Sequence, residues 1–195
     1  MSSREILLVG AGGHSKAIVE ALGGGALAAY VDNAAAPWLE ATRIADDETA
    51  LQSAVPENFV MGLGGESLAA LDRRYTLFKQ YVGSGRAAPP LCHPEAHVSP
   101  SADIAAGAII LAGAIVQPGA IIGRAAIVNT GAIVEHDSQL GAGSHLAPGA
   151  MLLGEVVVGR FSMVGAGAVV LPQSEIGDRV LVPANTVHRA QAKSQ

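Results

Sequence analysis

Starting at Val98, every sixth residue of this chain is a branched aliphatic. The series runs unbroken through Ile104, Ile110, Val116, Ile122, Val128, Val134, Leu140, Leu146, Leu152, Val158, Val164, Val170, Ile176 and Val182. The residue four places further on is small or Val at every step, from Ala102 and Ala108 to Val180 and Thr186. Neither the 3.6-residue period of a helix nor the two-residue period of a plain strand yields a strict six. The pattern describes a coiled strand with a corner every six residues. The aliphatic points to the axis, the small residue fits near the corner, and Gly, Asn or Asp turns the chain. Three sides close an 18-residue coil, so the fifteen hexads make about five coils. At roughly 4.8 Å per coil they form a prism on the order of 24 Å tall. A solenoid must cover its end coils, because they expose unpaired strand edges, and residues 183–195 are expected to cover one of them.

Composition supports a soluble, cytoplasmic protein. Aromatics are only 4% of the 195 residues, so the core must come from Ala, Val, Ile and Leu. The formal net charge of −5, with no run of Lys or Arg, argues against a nucleic-acid or anionic-membrane partner. The single Cys92 excludes an intramolecular disulfide and fits a reducing compartment. No signal peptide is visible, since the first apolar run, Ile6 to Val9, stops at Gly10. The uncharged stretch from Ile104 to Gly123 is long enough to span a bilayer. Its glycines and Pro118 suit turns rather than a helix interior.

The segment before the repeats has a different rhythm. Ile6 to Val9 reads as a buried parallel strand, followed by the loop Gly10-Ala-Gly-Gly-His-Ser15 and a helix over about 15–22. Ala28 to Val31 reads as a second strand ending in Asp32. Phe59 to Met61 reads as a third, followed by Gly62-Leu-Gly-Gly65 and a helix over about 67–81. This alternation suggests a Rossmann-like half-domain with its site at the carboxyl ends of the strands. Ser15 stands where the dinucleotide fingerprint requires Gly, and no room remains for a second mononucleotide half. What survives is a backbone-donor loop at a helix N-terminus, suited to a phosphate or a nucleotide diphosphate, or else a glycine turn that serves packing alone. Residues 86–90 are the expected hinge, and His93 before Pro94 is expected to serve the junction. The expected units are 1–90, 91–187 and a tail, 188–195.

Most outward positions of the coils are bland. The exception is Asn129-Thr-Gly-Ala-Ile-Val-Glu135-His136-Asp137, followed by His145. A His flanked by two carboxylates on a rigid corner suits general-base work, because a neighbouring carboxylate favours the imidazolium. His136 and His145 are nine residues apart, half of an 18-residue coil, so they occupy different parts of the perimeter. If both serve one site, that site lies between neighbouring subunits.

The hexads resemble the hexapeptide-repeat, left-handed parallel β-helix of acyltransferases. Together with Gly10-Ala-Gly-Gly-His14, Asp32-Asn33, Leu63-Gly64-Gly65 and Asn129…Glu135-His136-Asp137…His145, they make nearly the whole chain similar to the PglD/NeuD family of sugar acetyltransferases. That resemblance implies an α/β Rossmann-like nucleotide-sugar-binding domain followed by a left-handed β-helix. It implies acetyl-CoA as co-substrate, no metal, and homotrimers with active sites between subunits. The implied reaction is N-acetylation of a nucleotide-linked 4-amino sugar for bacterial glycan synthesis. His136 would be the base and Asp137 the group that raises its basicity. His145 would contact the thioester region and contribute, or a backbone N–H would, a donor to the oxyanion; Gly154 and Ala166 would line the pantetheine path. Gly12, Gly13, His14, Asp32, Asn33 and Gly64 would hold the nucleotide-sugar. The lone Cys92 precedes the coils and no covalent intermediate is required. O-acetylation of a sialic-acid-type sugar and a non-catalytic nucleotide-sugar-binding scaffold are the alternatives. A β-helix carbonic anhydrase would need three metal-ligating histidines, and His93, His97, His136 and His145 are not arranged for that. Two departures from the family pattern stand out: Gly65-Glu66 after the third strand, and Leu181-Val-Pro-Ala-Asn185 near the end.

Overall fold

In the computed structural model, residues 6–23, 27–53 and 56–189 are described. Strands β1 (Ile6–Val9), β2 (Leu27–Val31), β3 (Thr42–Ile44) and β4 (Asn58–Met61) form one parallel sheet in the order β3-β2-β1-β4. Helices α1 (Gly13–Ala21), α2 (Asp47–Gln52) and α3 (Leu68–Gly83) accompany it. The strand period of two sorts the side chains. Leu7, Val9, Val31, Phe59 and Met61 face Phe78 and Tyr81 of α3. Leu8, Tyr30 and Val60 face the other way, where Ile18 of α1 meets Ile109 and Leu111 of the repeat region. Each such side chain contributes roughly 1.5–3 kcal/mol by leaving water.

Two elements escape sequence inspection. Strand β3 is a three-residue, largely exposed edge, and α2 has six residues, too few for either to display a period. The one local signal for α2 is Asp46, whose carboxylate accepts from Thr49 N at 2.7 Å and caps the helix. The expected hinge at 86–90 starts from a fixed point: Arg86 donates to the carbonyls of Pro56, Ala50 and Ser53.

From Leu91–Cys92 (β5) to Val187–His188 (β21), seventeen two-residue strands follow every six residues. Every third strand joins the same parallel sheet, giving sheets of five, six and six strands. Partners lie 18 residues apart, as Ile127 with His145 shows. These ladders fit a left-handed parallel β-helix. The two strands beyond the fifteen hexads carry Cys92 and His188 at the inward position, so the aliphatic series does not reveal them. Part of the expected tail, 190–195, lies outside the described residues.

The inward aliphatics form one core column from Ile110 to Val182, with Ala108, Ala114, Ala120 and their successors filling the corners. Serine at the small position adds a polar thread. Ser138 Oγ donates to Leu153 O at 2.7 Å and accepts from Val156 N at 3.0 Å, and Ser144 and Ser162 repeat the motif one coil at a time. Corner residues adopt positive φ, and Ala125, Glu155, Phe161, Gln173 and Arg179 do so alongside the glycines. A side chain there costs on the order of 1–2 kcal/mol. Coil-to-coil bonds hold the backbone in place, for example Ala125 N to Ala106 O at 3.0 Å.

The first unit covers one sheet of the prism. Ile109 and Ile127 point outward from it yet are fully buried, while Leu181 of the same sheet is exposed. His145 stands between them, where the cover ends. No helix among the described residues is long and apolar enough to cross a membrane.

Candidate active site

His136 and Asp137 occupy the corner after the strand Ile133–Val134 (β12). Asp137 takes the left-handed position, φ 59°, which turns its carboxylate back toward the imidazole. His136 Nδ1 lies 2.9 Å from Asp137 Oδ2. A carboxylate can only accept here, so Nδ1 carries the proton and Nε2 presents a lone pair. The hydrogen bond to Asp137 holds the His136 pKa above its ordinary value, with support from the charges of Asp137, Glu135 and Glu155 and against a smaller effect of desolvation. Both side chains are more than half exposed, so the pair is open to solvent.

The coils above and below are shaped around this pair. One coil on from His136 stands Gly154, where a Cβ would lie 2.7 Å from Cε1 and from Nε2. One coil before Asp137 stands Gly119, where a Cβ would collide with Oδ1. Gly154, expected on the pantetheine path, is therefore first of all the residue that leaves space for His136. Glu155 beside it accepts from Gln173 Nε2 at 3.3 Å and brings a third carboxylate to the corner.

His145 belongs to another part of the perimeter. Its Nδ1 donates to Gly65 O at 2.7 Å, and its Nε2 accepts from Asn129 Nδ2 at 2.9 Å. The amide orientation of Asn129 follows from its Oδ1, which accepts from Thr130 N at 2.8 Å. Burial, together with the positive charge of Arg74, lowers the His145 pKa against the raising effects of Gly65 and Glu66, and the ring is neutral. With both nitrogens engaged it has no N–H left for an oxyanion. Of the two donors expected from the sequence, His145 is the one that this geometry does not supply.

A cavity of about 680 Å³ opens at His145, with His14, Gly64, Gly65, Glu66, Met163 and Ala166 in its lining. His14 enters it from the start of α1. Burial, then Arg74 and His145, push its pKa down to about 4, and its Nε2 has no hydrogen-bond partner among the described residues. Asp32 and Asn33 line a separate cleft of about 320 Å³ with Gly10, Asp46, Asp47 and Leu63. The loop 63–65 is thus a wall shared by two cavities. It divides the expected nucleotide-sugar residues, His14 and Gly64 on one side and Asp32 and Asn33 on the other. Gly12 and Gly13 are exposed at the mouth of α1, with nothing within 4 Å of where a Cβ would stand.

Several determinants carry weaker sequence signals. The Asp32 carboxylate accepts from Ala11 N at 2.8 Å and Ala34 N at 3.0 Å, so it braces the glycine loop as well as lining the cleft. Ser15, which breaks the dinucleotide fingerprint, places its hydroxyl 2.8 Å from Gly10 O and 3.0 Å from Gly62 O. It joins the ends of β1 and β4, a task glycine cannot perform. Asn129 and Gly65, which stand in the sequence motifs without an assigned role, gain one as partners of His145. Among the described residues no group of three or more His, Cys, Asp or Glu side chains is placed to hold a metal ion.

No protein-family model and no curated protein sequence matches the chain. Solved structures do. A variant of perosamine N-acetyltransferase from Caulobacter crescentus, in complex with CoA and GDP-perosamine, is 32% identical over 94% of this chain and 87% of its own, with TM-score 0.85. The chain belongs to the hexapeptide-repeat sugar acetyltransferases of the PglD/NeuD type. The acetyltransferase domain of PglB from Neisseria gonorrhoeae FA1090, in complex with acetyl coenzyme A, is 30% identical to this acetyltransferase, with TM-score 0.85. The match covers 96% of this chain and 94% of that one. WeeI from Acinetobacter baumannii AYE, at 15% identity and TM-score 0.65, shares the fold.

Proposed function

We propose that this acetyltransferase moves the acetyl group of acetyl-CoA onto the amino group of a nucleotide-linked 4-amino sugar. The observation that carries this is the His136–Asp137 pair, with Nδ1 tied to the carboxylate and Nε2 free. The sugar amine attacks the thioester carbonyl carbon while His136 Nε2 takes the proton the nitrogen sheds. The tetrahedral oxyanion is met by a backbone N–H. Collapse breaks the C–S bond, and the CoA thiolate leaves and takes up a proton. Glu135, Asp137 and Glu155 make the corner anionic, which draws in an amino sugar as its ammonium in preference to a neutral hydroxyl. The ammonium gives one proton to water before the free amine attacks, and the second goes to His136.

Residues 1–90 serve as a Rossmann-like nucleotide-sugar-binding domain, with Gly12, Gly13, His14, Asp32, Asn33 and Gly64 as its contacts. Residues 91–187 serve as the transferase domain, with His145, Gly154 and Ala166 toward acetyl-CoA. The relatives that carry CoA or acetyl-CoA, and GDP-perosamine in one case, support both assignments. His136 does not line the cavity that holds His14 and His145. A cytoplasmic homotrimer with sites between subunits answers that separation, since a neighbour's His136 can face this cavity.

The test is thiol release from acetyl-CoA with UDP-, dTDP- and GDP-linked 4-amino sugars, alongside free and CMP-linked sialic acid. Turnover with one amino sugar is expected. Turnover with sialic acid alone would overturn N-acetylation. Sedimentation at working concentration should return three times the 19.6 kDa chain mass, and a monomer active at that concentration would refute the shared site.

A further inference from the structure

Arg74 of α3 is 1% exposed, and no carboxylate bonds to it among the described residues. Removing an unpaired guanidinium from water costs several kcal/mol, a cost that a methionine of similar reach would avoid. Its contacts indicate what offsets that cost. Nε donates to Leu63 O at 2.9 Å, Nη1 donates to Ala125 O, and Nη2 has no partner among the described residues. The two carbonyls belong to different units: Leu63 lies in the loop after β4, and Ala125 is a positive-φ corner of the β-helix.

The residues after Leu63 carry the constraint onward. A Cβ on Gly64 would lie 3.4 Å from Cβ and Cγ of His14, so this backbone backs the His14 side chain. Gly65 supplies the carbonyl that fixes the His145 tautomer. One rigid fork thus spans the two units and holds the short loop on which both histidines depend. Lysine could supply the charge but not two N–H groups in fixed divergence.

We infer that Arg74 is a positioning residue, which locks the Leu63–Gly65 loop to the Ala125 corner and thereby sets His14 and His145 across their cavity. The charge acts in the same direction. Burial is the first cause keeping both histidines neutral, and Arg74 is the second for His14. The groups facing His14 are Arg74 and His145; those facing His145 are His14, Arg74, Glu66, the Gly65 carbonyl and the Asn129 amide. The link to acetyl transfer rests on the function proposed above, whereas the clamp itself does not.

The experiment compares wild type, Arg74→Met and Arg74→Lys as full chains, by nitrogen-detected histidine NMR against pH and by steady-state kinetics. Wild type should show His145 as the Nδ1–H tautomer. Arg74→Met should raise the pH at which His14 and His145 protonate and lower kcat about 10-fold or more. Arg74→Lys should keep the histidine titrations low yet leave kcat depressed, because it restores the charge without the fork. Wild-type tautomers and titrations in a folded Arg74→Met chain, or kcat within twofold of wild type in Arg74→Lys, would overturn the inference. Should Arg74→Met fail to fold, the Lys variant decides by its kcat and by whether His145 keeps a single tautomer. If wild type turns over no sugar, the proposed function fails while the spectra still decide the clamp.

Discussion

Replacing Gly154 with Ala is the sharpest test of the His136 corner. The φ of Gly154 lies outside the left-handed region, so the backbone accepts alanine, and the only conflict is with His136. The new Cβ would lie 2.7 Å from Cε1 and Nε2. Non-bonded carbon atoms settle at roughly 3.5–4.0 Å, so the ring must retreat by about 1 Å. A displacement of that size at a reacting group costs on the order of 10²-fold in rate, or about 2.7 kcal/mol of barrier. The ring is exposed and swings away freely, so folding stability should change by less than about 0.5 kcal/mol. Thiol release under saturating sugar and acetyl-CoA is the assay, with a thermal melt on the same sample. The expected result is a kcat loss near 10²-fold at an unchanged Tm. If Gly154 acts chiefly as a wall for pantetheine, KM for acetyl-CoA rises while kcat is kept. A kcat within threefold of wild type would refute the steric reasoning.

Other consequences follow from the same geometry. His136→Ala should lower kcat roughly 10²-fold or more, and activity within a few-fold of wild type would remove His136 as the base. Asp137→Asn keeps a residue tolerant of positive φ but weakens the hydrogen bond, and removes the charge, that hold the His136 pKa up. Because the base works only when neutral, the acid limb of kcat/KM should move to lower pH while the plateau falls. An unmoved limb would break the assignment. His14 has a folded pKa of about 4 against an ordinary 6.5, so it destabilises the fold as pH drops below 6.5, by up to about 3 kcal/mol once pH reaches 4. Denaturant melts of His14→Gln should show a shallower acid loss than wild type. Leu152→Ala empties a fully buried site in the β-helix axis and should cost about 2–5 kcal/mol by the same melts.

The hexads were fully legible, because a period of six with inward aliphatics admits few other shapes. Their outermost strands were not, since Cys92 and His188 depart from the aliphatic code and only the ladder reveals them. In the first unit the long buried strands could be read, while β3 and α2 could not. Short elements carry little period, and tertiary neighbours decide them. At the site, the local run Glu135-His136-Asp137 made the His–Asp contact legible, because its two partners are adjacent in sequence and bond directly.

What the chain alone determined is whatever depends on local spacing: the prism, the acidic corner with its histidine, and the glycine loop opening α1. What only the tertiary structure decided depends on groups far apart in sequence. His145 is neutral, and a poor oxyanion donor, because Gly65 O, 80 residues away, takes its Nδ1 proton while Asn129 Nδ2 donates to its Nε2. The loop 63–65 separates two cavities because Arg74, buried at the joint, draws it toward Ala125. Hydrogen bonds of that kind have no sequence period, and arise only once packing has brought the two units together.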